Sequence, residues 1–585
     1  DIFTYYDLFY KISNLEICMK KSFLLFFIIF LIAFNSILIL AMPPHPTYLD
    51  NATKNGTKSQ IDTILKTQAQ KGMNRAQKAM PTTGNVNVLV ILVQFPDLKF
   101  DDDTTFAKSP FSKSKHDNSG NSSQKVILII LLSILSIFSF IIFKTFPKKT
   151  RANLNFSRLL FFYLCFFSIF FLYGCPNPVD INYTSNPKTN FYKNLLQDSE
   201  YSMKQYYLDM SNEQLNLNFD IVGPFTVSEN YKYYGENDDV NLSDSHPASL
   251  VAEAVNLANN FAKIDFSKYD NDGDGAVDSI LVVHAGPGEE TGFGPDYIWS
   301  HQWNLLAANI LNNDGPGYVY LDNKYILFYT LQPEYVLNPG DSSIGVFAHE
   351  FAHTLGLPDL YDTTYETDGL GDFSLMASGS WLGQNGIGER PAPLTSWERE
   401  YLKWNSPHIV NAGSTLDNFK LYPILGSSEN YIKVVLNPVA ANEQYQNLIV
   451  EFLSKTASPW LEFLPIPANG GVLIYRVDET IFKSAEGNAE PDGYGPNDGT
   501  SYHHAVEIVE ADNGWQLWLP YPDEDFGTSD DFFSVIGIIL SDLTNPNSKY
   551  YPGDGEYNHS PTLSSNVTIE ILTISTNDNC TIKIY

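Results

Sequence analysis

Asn85 to Phe95 reads NVNVLVILVQF and ends on Pro96-Asp97. A continuous apolar run of this length, stopped by a turn pair, predicts a strand buried on both faces, as in a mixed or parallel sheet. Downstream, Tyr192, Leu195, Leu196, Met203, Tyr206, Tyr207 and Leu208 fall close to helical spacing over 191–209. Pro247 opens the Ala-rich stretch Ala248 to Ala262, which predicts a helix with proline in its first turn. Ser279 to His284 (SILVVH) reads as another buried strand, and Leu321-Asp322-Asn323-Lys324 as a hairpin turn. Strands alternating with helices predict an α+β domain with a mixed sheet over 86–405. After residue 406 the texture changes. Short apolar stretches at Leu448 to Leu453, Val472 to Val477, Ala505 to Val509 and Val567 to Leu572 are separated by Gly, Pro, Asn and Asp. That pattern predicts an all-β, sandwich-like C-terminal domain over 406–585.

The 585 residues carry 36 Lys+Arg and 67 Asp+Glu, so the formal net charge is 36 − 67 = −31. Such acidity argues against nucleic acid or an anionic membrane surface as the main partner, because both reward Lys and Arg. Hydrophobic residues at 44% and aromatics at 14% exclude global disorder. Four cysteines exclude a disulfide-rich scaffold. Cys18 precedes the natural start at Met19, and Cys165 and Cys175 sit in an apolar insert. Only Cys580 is left to the folded body, so no disulfide is expected there.

The mean hydropathy of −0.16 blends unlike parts. Residues 1–18 read as upstream read-through. Residues 19–42, with Lys20-Lys21, a Phe/Leu/Ile run and Ala41 before Pro43-Pro44, read as a secretory signal peptide; an uncleaved anchor is the alternative. Residues 43–85 read as a propeptide of a zymogen. No Cys lies between 19 and 164, so latency would need an acid, near Asp50 or Asp62, or a main-chain group. Residues 114–187 form an apolar insertion. Val126 to Phe143 is long enough to span a bilayer, and Leu159 to Tyr173 is shorter. Between them lie Lys144, Lys148, Lys149, Arg151 and Arg158. This reads as a membrane hairpin with a cytoplasmic loop, or, through Leu172-Tyr173-Gly174-Cys175, as a lipoprotein-like segment. Either would make 126–175 a membrane or lipid anchor.

The chemistry lies at 349–359, HEFAHTLGLPD. Ile344, Val346, Phe347, Phe351, Ala352 and Leu355 predict a buried helix, with Ser342 or Ser343 able to cap its start and Gly356 near its end. His349 and His353 are four residues apart on one face, so both imidazoles reach one metal. Glu350 is placed to take a proton from an attacking water. Gly356 permits a sharp turn that returns Asp359 as third ligand. Two imidazoles, one carboxylate and an open position favour zinc. Downstream, Met376 in SLMASGSW is the candidate for a metzincin-type Met-turn beneath the metal. A Tyr is common two residues after that Met; here Ser378 stands there, so no oxyanion-stabilising group is assigned. His284 and His301 either line the cleft or belong to the core.

A second acidic constellation is DNDGDGAVD. Asp270, Asp272 and Asp274, the carbonyl of Ala276 and Asp278 form the first half of a calcium loop. Leu281 stands where an EF-hand has its bidentate Glu, so a full EF-hand is excluded; a solvated acidic turn is the alternative.

HExxHxxGxxD, LMASGSW, DNDGDGAVD running into SILVVHAGPGEE, and IWSH at 298–301 together resemble the immune inhibitor A family of metallopeptidases. GGVLIYRVDE at 470–479 and HHAVEIVEAD at 503–512 are similar to its C-terminal region. The resemblance implies a metzincin-like secreted zinc endopeptidase acting on protein or peptide substrates, made with a propeptide and often binding calcium. It implies His349, His353 and Asp359 as zinc ligands and Glu350 as general base. Two alternatives stay open: a membrane- or lipid-anchored surface protease, and an inactive surface binding or adhesion protein.

Overall fold

The computed structural model describes residues 40–41, 80–101, 182–238, 243–425, 430–436, 446–479, 481, 496–498, 503–519, 525–551, 561–576 and 578–585. The chain divides into one unit of Asp1–Asp103 with Tyr183–Tyr585 and a second of Thr104–Asn182. Most of the leader and the apolar runs at 126–175 lie outside the described residues. Among the described residues no helix is long and apolar enough to cross a membrane.

The fold is mixed α/β. Its six-stranded sheet is built on β1 (Gly84–Gln94), the strand of the opening run. β1 lies between β2 (Leu215–Thr226) and β3 (Ile280–Pro287), parallel to both. β3 pairs in parallel with β5 (Phe328–Tyr335), and β5 pairs antiparallel with β4 (His301–Asn304). Leu40–Ala41 adds two residues antiparallel to β4.

β1 reads as one apolar run because both of its faces are covered. Val86, Val88, Val90 and Leu92 share a core with Tyr206 and Tyr207 of α2 (Met203–Met210) and Phe347 and Phe351 of α4 (Gly345–Thr354). Leu89, Ile91 and Val93 face Leu250, Val251, Ala254 and Val255 of α3 (Pro247–Leu257). The predicted hairpin at 321–324 forms, with Asp322 and Asn323 both at positive φ.

Two local expectations are corrected. The stretch 191–209 is not one helix. α1 (Pro187–Lys193), capped by Asn186, runs into a π-helical turn at Asn194–Asp198. The chain then breaks at Ser199, and Ser202 caps α2 afresh through Gln205 N. Two serines of high capping preference interrupt the apolar period. Nor do Ser342 or Ser343 cap α4, whose N-cap is Ile344. Their hydroxyls donate instead to the carbonyls of Glu334 and Ile387.

Beyond residue 406 the described elements are strands and short 3-10 turns. A five-stranded sheet has the order β6 (His408–Asn411), β8 (Tyr431–Val435), β9 (Gln446–Leu453), β10 (Gly471–Asp478), β11 (Val506–Ile508); β7 (Leu416–Leu421) belongs to the second sheet. That second sheet runs β7, β14 (Asn579–Ile584), β13 (Ile569–Ser575), β12 (Ile539–Leu540). Leu448, Val450, Phe452, Val472 and Ile474 meet Ile569, Ile571, Ile582 and buried, free Cys580 of the second sheet. The alternate residues Ile449, Leu453, Leu473, Tyr475 and Val477 turn the other way, into the core that holds α2 and α4. β9 and β10 are therefore antiparallel strands buried on both faces. The core runs without interruption across residue 405.

Candidate metal centre

Every residue of α4, GVFAHEFAHT, is buried. The helix presents His349 and His353 one turn apart, their Nε2 atoms 3.1 Å from each other. Nδ1 of His349 lies 2.9 Å from the Leu375 carbonyl, and Nδ1 of His353 lies 2.9 Å from the Leu357 carbonyl. A carbonyl only accepts, so each Nδ1 carries the proton and each Nε2 offers a lone pair. Gly356, at φ +105°, reverses the chain, with Leu357 N donating to Ala352 O at 3.1 Å. The reversal brings Asp359 Oδ1 to 3.2 Å from His349 Nε2 and 3.3 Å from His353 Nε2.

These three atoms form a nearly equilateral triangle. A tetrahedral ion with bonds of about 2.0–2.1 Å separates its ligand atoms by about 3.3 Å, so the donor set fits zinc. The electrostatics agree. Burial holds the His353 imidazolium below its ordinary range, against the pull of Asp359, which favours the neutral ligand form. Burial raises the Asp359 carboxyl, but His353 and His349 more than offset this and keep it ionised. Asp359 Oδ1 is buried and has no hydrogen-bond partner. Two imidazole lone pairs and a carboxylate oxygen facing one another in a dry core would be costly without a cation between them.

Glu350 is fully buried beside His349. Tyr361, two residues past Asp359, lies with its ring centroid 6.5 Å from that of His349. Burial first, then Asp359 and, further down, Glu350, push its phenol well above the ordinary range. It therefore stays a neutral hydroxyl. Sequence reasoning left it unassigned; its place just after the third ligand was the available signal.

Met376 is completely buried in the turn that follows Ser374. Its carbonyl accepts from Leu360 N at 2.8 Å, and its amide donates to Ser374 Oγ at 2.9 Å. Ser374 Oγ donates to Glu398 Oε1 at 2.7 Å, on α5 (Ser396–Tyr401), where Glu398 and Thr395 form a reciprocal cap. The chain thus links α5, the Met376 turn and, through the Leu375 carbonyl, His349. Burial, opposed by the Ser374 and Thr395 bonds, raises the Glu398 carboxyl to about 7 from 4.5. Between these values the folded chain holds a proton that the unfolded chain has released, so stability falls as pH rises through that window. The parent is expected to lose up to about 3 kcal/mol relative to Glu398→Gln between pH 4.5 and 8. Denaturant unfolding of both chains at the two pH values measures this; a pH-independent difference would refute it.

In the second constellation, one carboxylate oxygen each of Asp270, Asp272 and Asp274 lie within 4.8 Å of one another. Asp270 also accepts from Gly273 N, Asp274 N and Gly275 N and pairs with Lys324 Nζ at 2.6 Å. Ala276 N donates to Asp274 Oδ1 at 2.9 Å. Asp278 is turned to Asn271, accepting from its main-chain and side-chain nitrogens at 2.8 Å each. A further acidic group, Glu510, Asp512 and Asp531, was not singled out from sequence. Glu510 and Asp512 share one turn and Asp531 comes from another, and burial raises Glu510 to about 8 and Asp531 to about 7. His284 and His301 are buried core residues outside the metal-type groups. Their Nδ1 atoms meet the carbonyls of Ala285 and Trp299, and burial lowers both to about 4.

Residues 180–407 match the model described as the immune inhibitor A peptidase M6 catalytic domain. Among individual proteins, the chain is 35% identical over 274 residues to the pre-pro-metalloprotease PrtV of Vibrio cholerae serotype O1, covering 40% of this chain and 28% of that protein. It is 30% identical over 225 residues to immune inhibitor A of Bacillus thuringiensis subsp. alesti, covering 34% of this chain and 32% of that one. The chain thus matches less than a third of the length of either relative. The family resemblance read from the motifs is borne out over this segment.

Proposed function

We propose that the chain is a secreted zinc-dependent metalloendopeptidase with a metzincin-like catalytic domain. His349, His353 and Asp359 are its zinc ligands and Glu350 is its general base. The observation that carries this reading is the triangle of 3.1, 3.2 and 3.3 Å formed by two lone-pair-bearing imidazoles and one ionised carboxylate. Zinc held there supplies Lewis acidity toward the scissile carbonyl and acidifies the attacking water. Glu350 accepts a proton from that water and returns it to the leaving amine. The carbonyls of Leu375 and Leu357 hold both imidazoles in the ligating tautomer, and the Met376 turn supports the first of them.

The 270–278 loop is proposed as a calcium site, supported by the gathering of Asp270, Asp272 and Asp274 and by the calcium levels of an extracellular setting. The shared core of the two C-terminal sheets supports a sandwich there. The Lys20-Lys21 and Phe/Leu/Ile pattern supports export.

The test is hydrolysis of casein by the purified chain before and after treatment with a zinc chelator, followed by zinc back-titration. Loss on chelation and recovery with about one equivalent of zinc is expected. Cleavage that the chelator leaves unchanged would overturn the reading.

A further inference from the structure

Among the buried oxygen atoms away from the zinc-type centre that have no hydrogen-bond partner, three belong to neighbouring segments: Asn237 Oδ1, Asp244 Oδ1 and Glu289 Oε2. Asp244 is 8% exposed and Glu289 is 2% exposed. Asn237 and Asp244 face each other across an antiparallel bridge. Glu289 opens the turn after β3, and its amide donates to Ile298 O at 3.0 Å. The next amide, Trp299 N, donates to Asp244 Oδ2 at 3.1 Å. Asn237 N donates to Pro295 O at 3.0 Å, and its Nδ2 donates to Glu289 Oε1 at 3.0 Å. The 295–299 segment therefore ties all three side chains into one cluster. The orientation of the Asn237 amide follows from its neighbour: only its NH₂ can face a carboxylate oxygen, which leaves Oδ1 as an acceptor without a donor.

Among the described residues no Lys or Arg forms an ion pair with Asp244 or Glu289, whereas nearby Lys232 pairs with Asp296 and Glu236. Burial pushes both carboxyls well above the ordinary range, and the charge of Glu289 raises Asp244 further. Two buried acids and an amide oxygen with no donor and no cation are a costly arrangement. A proton shared by the two carboxyls would satisfy one acceptor and leave the amide oxygen bare. A cation would satisfy all three. The Glu510–Asp512–Asp531 group differs, because Glu510 and Asp531 already accept from the amides of Gln516, Leu517 and Thr528.

We propose that Asn237 Oδ1, Asp244 Oδ1 and Glu289 Oε2 bind a hard divalent cation, calcium in an extracellular setting, at a site separate from both the zinc-type centre and the 270–278 loop. All three donors are oxygen and two are anionic, the set that calcium prefers and that zinc and copper do not. Such an ion pins the 295–299 segment, which leads directly into β4, to the bridged pair Asn237 and Asp244.

The experiment measures bound calcium and zinc on the full chain by elemental analysis after dialysis, together with the shift in Tm that calcium causes. The parent is compared with Asp244→Asn/Glu289→Gln and, separately, with Asp270→Asn/Asp274→Asn. The first variant is expected to hold one calcium fewer than the parent, with unchanged zinc and a smaller calcium-induced shift. The second is expected to keep the calcium that the first loses. Asn237→Ala retains both acids and guards against misfolding of the double variant; its calcium affinity is expected to fall at least tenfold. Parent-like calcium content and Tm shift in both the double variant and Asn237→Ala would overturn the site and leave a shared proton as the explanation.

Discussion

Replacing Glu350 by Gln is expected to lower the rate of peptide-bond cleavage by roughly 10²–10⁴-fold, the range for removal of a general acid–base group. The zinc content of the purified chain should stay at the parent's level. Glu350 is not one of the three groups whose donor atoms form the triangle, so the metal keeps its ligands. A carboxamide has the same shape but takes up no proton, so water attack and amine departure both lose their proton carrier. Exchanging a buried carboxylate for a neutral isostere removes a desolvation cost, and the fold is not expected to suffer. The loss should therefore appear in kcat, with little change in KM, on an internally quenched peptide. Parent-like turnover would remove Glu350 as the base. Loss of zinc along with activity would make it a structural member of the site.

Removing β1 is expected to abolish folding. β1 lies in the interior of the six-stranded sheet, paired with β2 from Gly84 opposite Leu215 to Gln94 opposite Thr226. Its residues Val86, Val88 and Leu89 to Val93 are all buried. At about 1.5–3 kcal/mol for each such side chain, their loss amounts to roughly 10–20 kcal/mol. Whole domains are stable by only about 5–15 kcal/mol. Withdrawal of β1 also bares the facing edges of β2 and β3, which invites intermolecular pairing. A chain beginning at Tyr183 should accumulate as aggregate without a cooperative unfolding transition. A chain keeping 80–103, joined to 183 by a flexible Gly/Ser linker of about 20 residues, should unfold cooperatively. The linker replaces only the second unit, Thr104–Asn182. The junction should stay at 183, because Tyr183 stacks on Phe225 at 4.8 Å and Asn186 caps α1 while donating to Gly223 O. A parent-like transition in the chain that lacks β1 would refute the argument.

What could be read in advance follows from periodicity. A strand covered on both faces has to be apolar throughout, which made β1 and β3 visible. A helical period of 3.6 puts His349 and His353 on one face whatever surrounds them, and Gly356 is among the few residues that accept the turn bringing Asp359 back. Groups that depend on the main chain left no mark in the sequence. The carbonyls of Leu375 and Leu357 orient the imidazoles, yet any residue could supply them. The break between α1 and α2 was hidden because the apolar spacing on either side stays nearly in phase. The Asn237–Asp244–Glu289 cluster joins segments about fifty residues apart through the 295–299 backbone, and no local pattern announces it. The two-sided burial of β9 and β10 was obscured by the short strands and turn residues around them, which suggested a separate domain. Their second faces join the large core that also holds residues of α2, α4 and α5.

The uninterrupted core across residue 405 has a consequence for an enzyme proposed to cut proteins in its own surroundings. Self-digestion starts at exposed, unpaired tethers. Here the crossing is held on both sides: Leu402, Trp404 and Asn405 are buried, and the Trp404 indole donates to Thr82 O at 2.7 Å. Arg399, one turn earlier, binds the carbonyls of Met210 and Ile424. At Trp404 and Asn405 themselves, neighbouring copies would meet buried, bonded chain rather than a free tether, so a cut that parts the two halves has to fall elsewhere.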